Sequence, residues 1–320
     1  SNFEFGTNPC SEIILRPYQF CNLTEVVVRS TDTTKDLERK VRLATILGTI
    51  QSTYTKFPYL RKVWTTNTEE ERLLGVSLTG IMDNPLMTTA NPELEKTLEK
   101  LRKLSVTTNA KWADNLGIPA STAITCVKPS GTVSQLVDSA SGIHARHSDY
   151  YIRTVRGDNK DPLTQFMKDQ GVPSEPDVMK PDATTVFSFP VKSPDNAIVT
   201  SDLSAVEQLQ IWLAYQRAWC EHKPSITVNV KKDEWFTVGA FVYEHFDEMS
   251  GVSFLPYNEH TYQQAPYQEV GKSVYNNLLS LMPKAIDWSK LSVYEEEDNT
   301  AGSQTLACSG DVCEIVDIGA

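Results

Sequence analysis

The chain has no long hydrophobic run and little of what marks several classes of protein. Its apolar stretches are as short as residues 13–15, far below the roughly 20 residues that span a membrane, so a transmembrane role is not expected. No basic and apolar segment of the signal-peptide kind opens the chain. The formal charge of −11 disfavours broad binding to nucleic acid or to anionic membranes, although a local basic pocket could still hold a phosphate.

Cysteine and histidine are also scarce, with 6 and 5 residues in 320. With so few cysteines we expect reduced thiols in a cytoplasmic protein, and deliberate-looking cysteine spacing then points to metal or redox chemistry. The histidines do not predict a metal site. His144 and His147 are three residues apart, but no acidic partner of suitable spacing accompanies them.

The composition that is present, 40% apolar and 22% charged residues, is typical of a soluble, enzyme-sized globular protein. Helical patterns separate short apolar runs, which predicts an α/β architecture with parallel strands. Residues 158–196 are rich in Pro, Asp and Lys and predict loops and short peripheral elements. Strands are predicted at 25–28, 121–127 and 226–230, and helices begin at Thr33 (apolar stripe Leu37, Val41, Ala44, Leu47), at Asn91 (ending near Gly117), at Ser204 and near Asp233.

The first candidate for chemistry is the loop sequence Asn8-Pro9-Cys10-Ser11-Glu12. A thiol and a carboxylate two residues apart point the same way on an extended loop, so both can face one substrate. Cysteine suits nucleophilic or radical chemistry, and glutamate suits proton abstraction. Taken alone, the segment is also compatible with a loop that carries an incidental cysteine.

The second candidate follows the strand predicted at 121–127. Lys128 leads into a turn rich in glycine and hydroxyl groups, which offers free backbone N–H groups to an anion. Its spacing is not that of a Walker loop, and an ordinary helix N-cap is the alternative. The residues predicted to bind a phosphate are Pro129, Ser130, Gly131, Thr132, Val133 and Ser134.

The third candidate is a pair of cysteines near the end of the chain. Cys308 and Cys313 follow an acidic run in residues 295–299, a composition typical of a mobile tail. A zinc site is poorly supported, because no second cysteine or histidine pair lies nearby. A dithiol that swings in to reduce an internal disulfide accounts better for a position on a tail.

Together, these segments resemble the ribonucleotide reductases, and more narrowly the class II, adenosylcobalamin-dependent branch. Residues 8–12 resemble the finger-loop motif N-x-C-x-E, and 16–23 resemble the short class II spacing from radical to redox cysteine. KPSGTVSQL at 128–136 resembles the substrate-phosphate turn. Segments 141–147, 150–153, 253–257 and 262–267 also resemble class II sequences, so the resemblance extends from about residue 8 to residue 313.

The resemblance implies a role for each cysteine of the site. Cys10 would carry a thiyl radical and abstract the ribose 3′-hydrogen, Glu12 would act as base on the 3′-hydroxyl, and Asn8 would hydrogen-bond the substrate hydroxyls. Cys21 would be one half of the reducing dithiol. Cys308 and Cys313 would reduce the resulting disulfide and be recharged by a thioredoxin-like donor. His144, Arg146 and His147 would line the adenosylcobalamin or substrate edge, or else cap local structure.

The resemblance also implies that a part of the enzyme is absent. In the family the partner of Cys21 lies upstream of the finger loop, in the first half of a ten-stranded α/β barrel, and neither Cys126 nor Cys220 matches it by motif. We therefore expect the C-terminal portion of a split, spliced or truncated reductase that needs an N-terminal half. Residues 1–294 would belong to the barrel, with the finger loop at 6–14, and 295–320 would form a flexible acidic tail.

The expected reaction is reduction of ribonucleotides to 2′-deoxyribonucleotides. The segment Asn22-Leu23-Thr24-Glu25 favours ribonucleoside triphosphates as substrates. A diphosphate reductase of the same class, or a non-catalytic nucleotide-binding fragment, are the alternatives. No membrane, nucleic-acid or metal partner is expected. Cys126 and Cys220 lie on apolar elements and are expected to be structural.

Overall fold

A computed structural model describes residues 4–257 and 263–295, and the chain divides into two compact units. The first unit contains Ser1–Arg146 and Asp195–Tyr257, and the second contains His147–Pro194 and Asn258–Ala320. The assignment of 1–294 to a barrel and of 295–320 to a tail stays a prediction. Cys308 and Cys313 lie outside the described residues. No helix in the described ranges is long and apolar enough to cross a membrane.

The strands and helices follow one another in the α/β manner in the first unit. The strands are β1 (Gly6–Thr7), β2 (Ile14–Leu15), β3 (Asn22–Val27), β4 (Leu74–Thr79), β5 (Thr125–Cys126), β6 (Tyr150–Asp158), β7 (Ser174–Pro176), β8 (Thr184–Lys192), β9 (Ile226–Val230), β10 (Val252–Pro256) and β11 (Tyr267–Glu269). The helices are α1 (Thr34–Gln51), α2 (Lys62–Glu71), α3 (Pro92–Leu116), α4 (Val133–Leu136), α5 (Pro162–Asp169), α6 (Ala205–Ala218), α7 (Trp235–Glu244), α8 (Lys272–Leu281) and α9 (Leu291–Tyr294).

Parallel pairing builds the first unit. β3 pairs with β4, β4 with β5, and β9 with β10, all in parallel. A parallel bridge between Val127 and Pro224 joins the two groups, which gives the order β3-β4-β5-β9-β10. Helices connect successive strands, as parallel pairing requires. The predicted α/β class with parallel strands is therefore confirmed, although β5 is much shorter than the strand predicted at 121–127.

One face of this sheet packs against the helices and forms the core. Val26, Val76 and Leu78 alternate with polar residues along β3 and β4 and are buried in a single apolar cluster. Trp212 and Tyr215 of α6 are fully buried in the same cluster. Because side chains alternate across a strand, the residues between these apolar positions face the opposite side of the sheet.

Local capping signals place the helix ends where the sequence predicts them. Thr33 and Asp36 form a capping box on α1, and Asn91 caps α3 ahead of a proline. Gly117 ends α3 in the left-handed conformation. The stripe predicted for α1 is wrong at Leu47, whose side chain is 61% exposed.

An apolar groove lies beside the edge strand β3. It has a volume of about 730 Å³ and runs between β3 and the outer side of α1. Its lining includes Leu23 of β3 and Leu43, Leu47 and Tyr54 of the helix, all of which are exposed. Within the described residues, β3 has a hydrogen-bonded neighbour on one side only.

The second unit corrects the prediction that 158–196 holds only loops and short elements. β8 pairs with β6 in antiparallel fashion over nine residues, within a sheet of order β11-β6-β8-β7. Val186 and Phe187 of β8 are buried. The strand was missed because Thr, Pro and Lys at its ends resemble a loop, whereas the long pairing with β6 stabilises it.

Candidate active site

A short hairpin formed by β1 and β2 carries the predicted catalytic loop. Gly6 pairs with Leu15 and Thr7 with Ile14. Inside the turn, the Asn8 side-chain oxygen accepts a hydrogen bond from the Ile13 amide at 3.0 Å. Asn8 Nδ2 has no hydrogen-bond partner among the residues described, so it stays available to a ligand.

Glu12 is the most unusual side chain of this loop. It is fully buried, and neither carboxylate oxygen has a hydrogen-bond partner within the described part of the chain. Leaving a buried polar group without a partner is costly, so the site is built to hold Glu12 for something that the chain does not itself supply. The Glu12 backbone is held in turn, because its carbonyl accepts the Lys223 amide at 3.0 Å.

Cys10, two residues before Glu12, is half-buried. Burial raises the pKa of its thiol, the Glu12 carboxylate raises it further, and the Lys128 ammonium group opposes the change. The thiol is therefore protonated at neutral pH. The structure brings Cys10 and Glu12 together, and it adds Lys128, which is outside the predicted set of site residues.

Cys21 also lies close to Glu12. Burial first, and then the charge of Glu12, raises the pKa of its thiol far above the ordinary value. Its sulfur occupies space left open by Gly75: it lies 3.4 Å from the position where a Cβ on that glycine would stand. The predicted pair of Cys10 and Cys21 thus shares one carboxylate neighbour.

A row of polar side chains crosses the sheet face opposite the helices. Glu25 pairs with Ser77, and Ser77 pairs with Cys126, so the three residues point the same way. Burial raises the pKa of Cys126 well above its usual value, and the charges of Cys21, Cys220, Glu12 and Glu25 add to this. Cys126 is fully buried, as expected, but it faces the site.

Glu25 links this row to the predicted phosphate turn. Burial raises the pKa of its carboxyl group, and the Ser130 hydroxyl and the Lys128 ammonium group oppose the change. One Glu25 oxygen and the Ser130 hydroxyl oxygen are buried without a hydrogen bond of standard geometry. Two polar groups that lie side by side without a bond leave hydrogen-bonding capacity for a ligand.

The turn itself stands at the carboxyl end of β5, where parallel α/β sheets bind their ligands. Ser130 is buried in the left-handed conformation with φ of 54°, while Gly131, Thr132 and Val133 are exposed. The Ser134 hydroxyl donates to the Ser130 carbonyl and lies 2.8 Å from the Ser141 hydroxyl. Ser134 therefore shapes the turn from beneath.

Two of the residues predicted to bind the cofactor bond to their own unit. The His144 ring lies 3.0 Å from the Ser141 carbonyl through Nδ1, and its Nε2 accepts the Thr227 amide at 3.0 Å. Arg146 makes a two-pronged, buried ion pair with Asp83, at 2.8 Å and 2.9 Å. Both contacts hold the loop that follows α4.

His147, the third of these residues, belongs to the second unit. Its ring lies 5.9 Å from that of Tyr151 and 5.6 Å from that of Tyr267. The cofactor role of all three residues stays a prediction. Within residues 4–257 and 263–295, no cluster of His, Cys, Asp and Glu has the arrangement of a metal site.

Four residues of the site were not found from the sequence: Glu25, Cys126, Lys128 and His222. Lys128 carried a signal, since it opens the predicted phosphate turn. Glu25 breaks the apolar pattern of its strand, which could have marked it as facing a site. No local signal marks His222, whose contacts are with residues far along the chain.

The chain is similar over most of its length to curated reductases. An adenosylcobalamin-dependent ribonucleoside-triphosphate reductase of Lactobacillus gasseri is 29% identical over 303 residues, which cover 84% of this chain and 40% of that protein. The enzyme of the same name from Euglena gracilis is 27% identical, over 96% of this chain and 42% of its own length. No family model matches the chain.

A solved structure is similar in the same way. A crystal structure of a B12-dependent, class II ribonucleotide reductase matches with a TM-score of 0.78 and 25% identity, over 92% of this chain and 44% of that one. The fold is thus that of a ribonucleotide reductase. More narrowly, the chain is homologous to the adenosylcobalamin-dependent, class II reductases and corresponds to a partial region of them. It spans about 40% of the length of the curated relatives.

Proposed function

We propose that this chain is the part of a class II ribonucleotide reductase that carries the radical cysteine, and that it converts ribonucleotides to 2′-deoxyribonucleotides. The observation that supports this most is the pairing of Cys10 with Glu12. The carboxylate is fully buried, has no hydrogen-bond partner among the described residues, and lies near two thiols.

The chemistry follows from these side chains. A protonated Cys10 can lose its hydrogen atom and become a thiyl radical, which abstracts the ribose 3′-hydrogen. Glu12 accepts the proton of the 3′-hydroxyl, and the 2′-hydroxyl leaves as water. Asn8 binds the substrate hydroxyls through its amide nitrogen. The 3′-hydrogen returns to the ribose at the end, which regenerates the Cys10 radical.

The two electrons come from a pair of thiols that becomes a disulfide. Cys21 supplies one thiol, and its partner comes from an N-terminal half of the enzyme. Cys308 and Cys313, on a tail over 295–320, then reduce that disulfide by exchange and are recharged by a thioredoxin-like protein. A cytoplasmic location keeps such thiols reduced.

The substrate is a ribonucleoside triphosphate. The names of the relatives from L. gasseri and E. gracilis support this phosphate level. The turn 129–134 receives the phosphates through its exposed backbone and hydroxyl groups, with the free Ser130 hydroxyl at its base. Lys128 provides a positive charge next to it.

The cofactor is adenosylcobalamin, for which the same relatives are named. When bound, it supplies a cobalt–carbon bond that breaks into radicals. The chain fits this chemistry at Cys10, because the thiol is protonated and half-exposed. His147 would contact the cofactor, while His144 and Arg146, whose side chains already bond within the first unit, would hold the adjoining loop in shape.

A ten-stranded barrel would complete the active site. The order β3-β4-β5-β9-β10 supplies five parallel strands, and β3 presents an unpaired edge beside an apolar groove. Unpaired edges invite further strands, and the exposed Leu43 and Leu47 suit a helix that packs on α1. The residues 1–294 would thus form the second part of a barrel that the N-terminal half begins.

The experiment is an activity assay on the assembled enzyme. The chain is combined with its N-terminal half, adenosylcobalamin, a dithiol and each ribonucleotide, and the deoxynucleotide product is quantified. We expect product with triphosphates and none with Cys10→Ala. Cys220→Ala is the matched control, since that thiol lies in the apolar core and its loss should leave turnover in place. Absence of product with every nucleotide would overturn the proposal.

A further inference from the structure

One buried histidine joins the catalytic hairpin to the sheet. His222 lies between α6 and β9 and is 3% exposed. Its Nδ1 is 3.3 Å from the Ile14 amide nitrogen, and its Nε2 is 2.8 Å from the Leu74 carbonyl oxygen. An amide can only donate and a carbonyl can only accept, so Nδ1 is the acceptor and Nε2 carries the proton.

The neutral ring suits this position. Burial lowers the pKa of His222 to about 4, so the ring is uncharged at neutral pH and keeps Nδ1 free to accept. The next residue adds a second attachment, since the Lys223 amide donates to the Glu12 carbonyl. Two successive residues therefore hold the hairpin on both sides of Ile13.

The hairpin needs such support. It has only two registered pairs between β1 and β2, and isolated two-stranded hairpins are marginally stable. Glu12 is also buried without a hydrogen-bond partner for its carboxylate in the described chain, which disfavours its present position. Contacts from outside the hairpin must hold Glu12 and Cys10 in place.

We propose that His222 is a positioning residue of the reductase reaction. Through its bond to the Ile14 amide it holds the finger loop where Cys10 and Glu12 face the ribose, and it touches no reacting atom. This inference rests on the proposed function. A misplacement of about 1 Å can cost roughly a hundredfold in rate, so loss of the attachment should lower turnover.

Two substitutions separate the two ring nitrogens. In His222→Asn the side-chain oxygen replaces Nδ1 and can still accept from Ile14. In His222→Gln the side-chain nitrogen replaces Nε2 and can still donate to Leu74, but the acceptor for Ile14 is lost. Both variants remove the ring from the same buried site, so a general loss of packing affects them alike.

The test measures turnover and the hydrogen exchange of the Ile14 amide in the assembled reductase. We expect His222→Asn to keep kcat within about threefold of the wild type, and His222→Gln to lose roughly tenfold to a hundredfold in kcat with KM nearly unchanged. The Ile14 amide should exchange faster in the Gln variant only.

Other outcomes contradict the proposal. Equal losses in both variants would assign His222 to packing alone, equal retention would assign it no role, and the reverse order would place the effect at Leu74. Failure of the proposed function is distinguishable, because the wild-type assembly would then form no deoxynucleotide, which would overturn both ideas.

Discussion

The Cys21 sulfur lies 3.4 Å from the point where a Cβ on Gly75 would stand. The same point is 2.3 Å from a Leu23 methyl carbon and 3.0 Å from one of Ile13. The absence of a side chain at residue 75 therefore makes room for the redox thiol and for the finger loop together. Glycine is needed here for space, in the middle of a buried strand where it would otherwise weaken the structure.

Replacement of Gly75 by alanine should disturb this packing. We expect Gly75→Ala to lower the free energy of unfolding by about 1 to 3 kcal/mol, because Leu23 and Ile13 must move. Denaturant unfolding measures this change. Gly239→Ala is the control: nothing lies within 4 Å of its added Cβ, and alanine in α7 should stabilise by about 0.5 to 1 kcal/mol. The same sign for both variants would contradict the packing argument.

Arg146 should behave as a structural residue. Its side chain is 3% exposed and forms the two-pronged pair with Asp83. Lysine keeps the charge but cannot reproduce the fork, so Arg146→Lys should cost about 2 kcal/mol or more. In the exposed pair between Arg217 and Glu248, Arg217→Lys should cost less than about 1 kcal/mol. Thermal or denaturant unfolding compares the two, and equal costs would refute the assignment.

The stability of the fold should depend on pH through His222. Its pKa falls from 6.5 to about 4 on folding, so between these values the unfolded chain holds a proton that the folded chain does not. The free energy of unfolding therefore decreases as pH falls from 6.5 towards 4, by about 2 to 3 kcal/mol.

Unfolding curves at pH 7 and pH 4.5 measure this contribution. His222→Asn removes the titrating ring and should lack that part of the pH dependence, so the difference between the two proteins isolates the histidine. Identical pH dependence in both would show that His222 does not titrate in this window.

The reactivity of Cys10 should report the two charges beside it. Burial and Glu12 raise the pKa of the thiol, and Lys128 opposes them. Only the thiolate reacts with iodoacetamide, so Glu12→Gln should speed alkylation of Cys10 at pH 8 and Lys128→Gln should slow it, each by roughly threefold to tenfold. Mass spectrometry of the labelled peptide gives the rates. Changes in the same direction for both variants would contradict this electrostatic arrangement.

Much of the fold could be predicted from short stretches of sequence. The capping box of Thr33 and Asp36, the cap at Asn91 and the C-terminal Gly117 mark helix ends because each bond joins residues at most a few positions apart. Alternation of apolar residues likewise predicted β9. Where stability came from a distant strand, as for β8, the local composition was misleading.

The candidate site divides in the same way. The order of its motifs was enough to predict the reductase family, which the comparisons confirm, and it placed Cys10, Glu12 and Cys21 near one another. The roles of these residues stay predictions. Strand pairing alone decides that Glu25, Ser77 and Cys126 share a row, because pairing register is not written in any one segment.

The sequence by itself therefore determined the class of protein, the loop that carries the thiol and the carboxylate, and the ends of the main helices. Only the tertiary structure decided what surrounds that loop. His222 is 208 residues from Ile14, and Gly75 is distant from both Cys21 and Ile13 along the chain. Contacts of this kind arise when the parallel sheet brings separate strands together, so their physical origin lies in the packed fold.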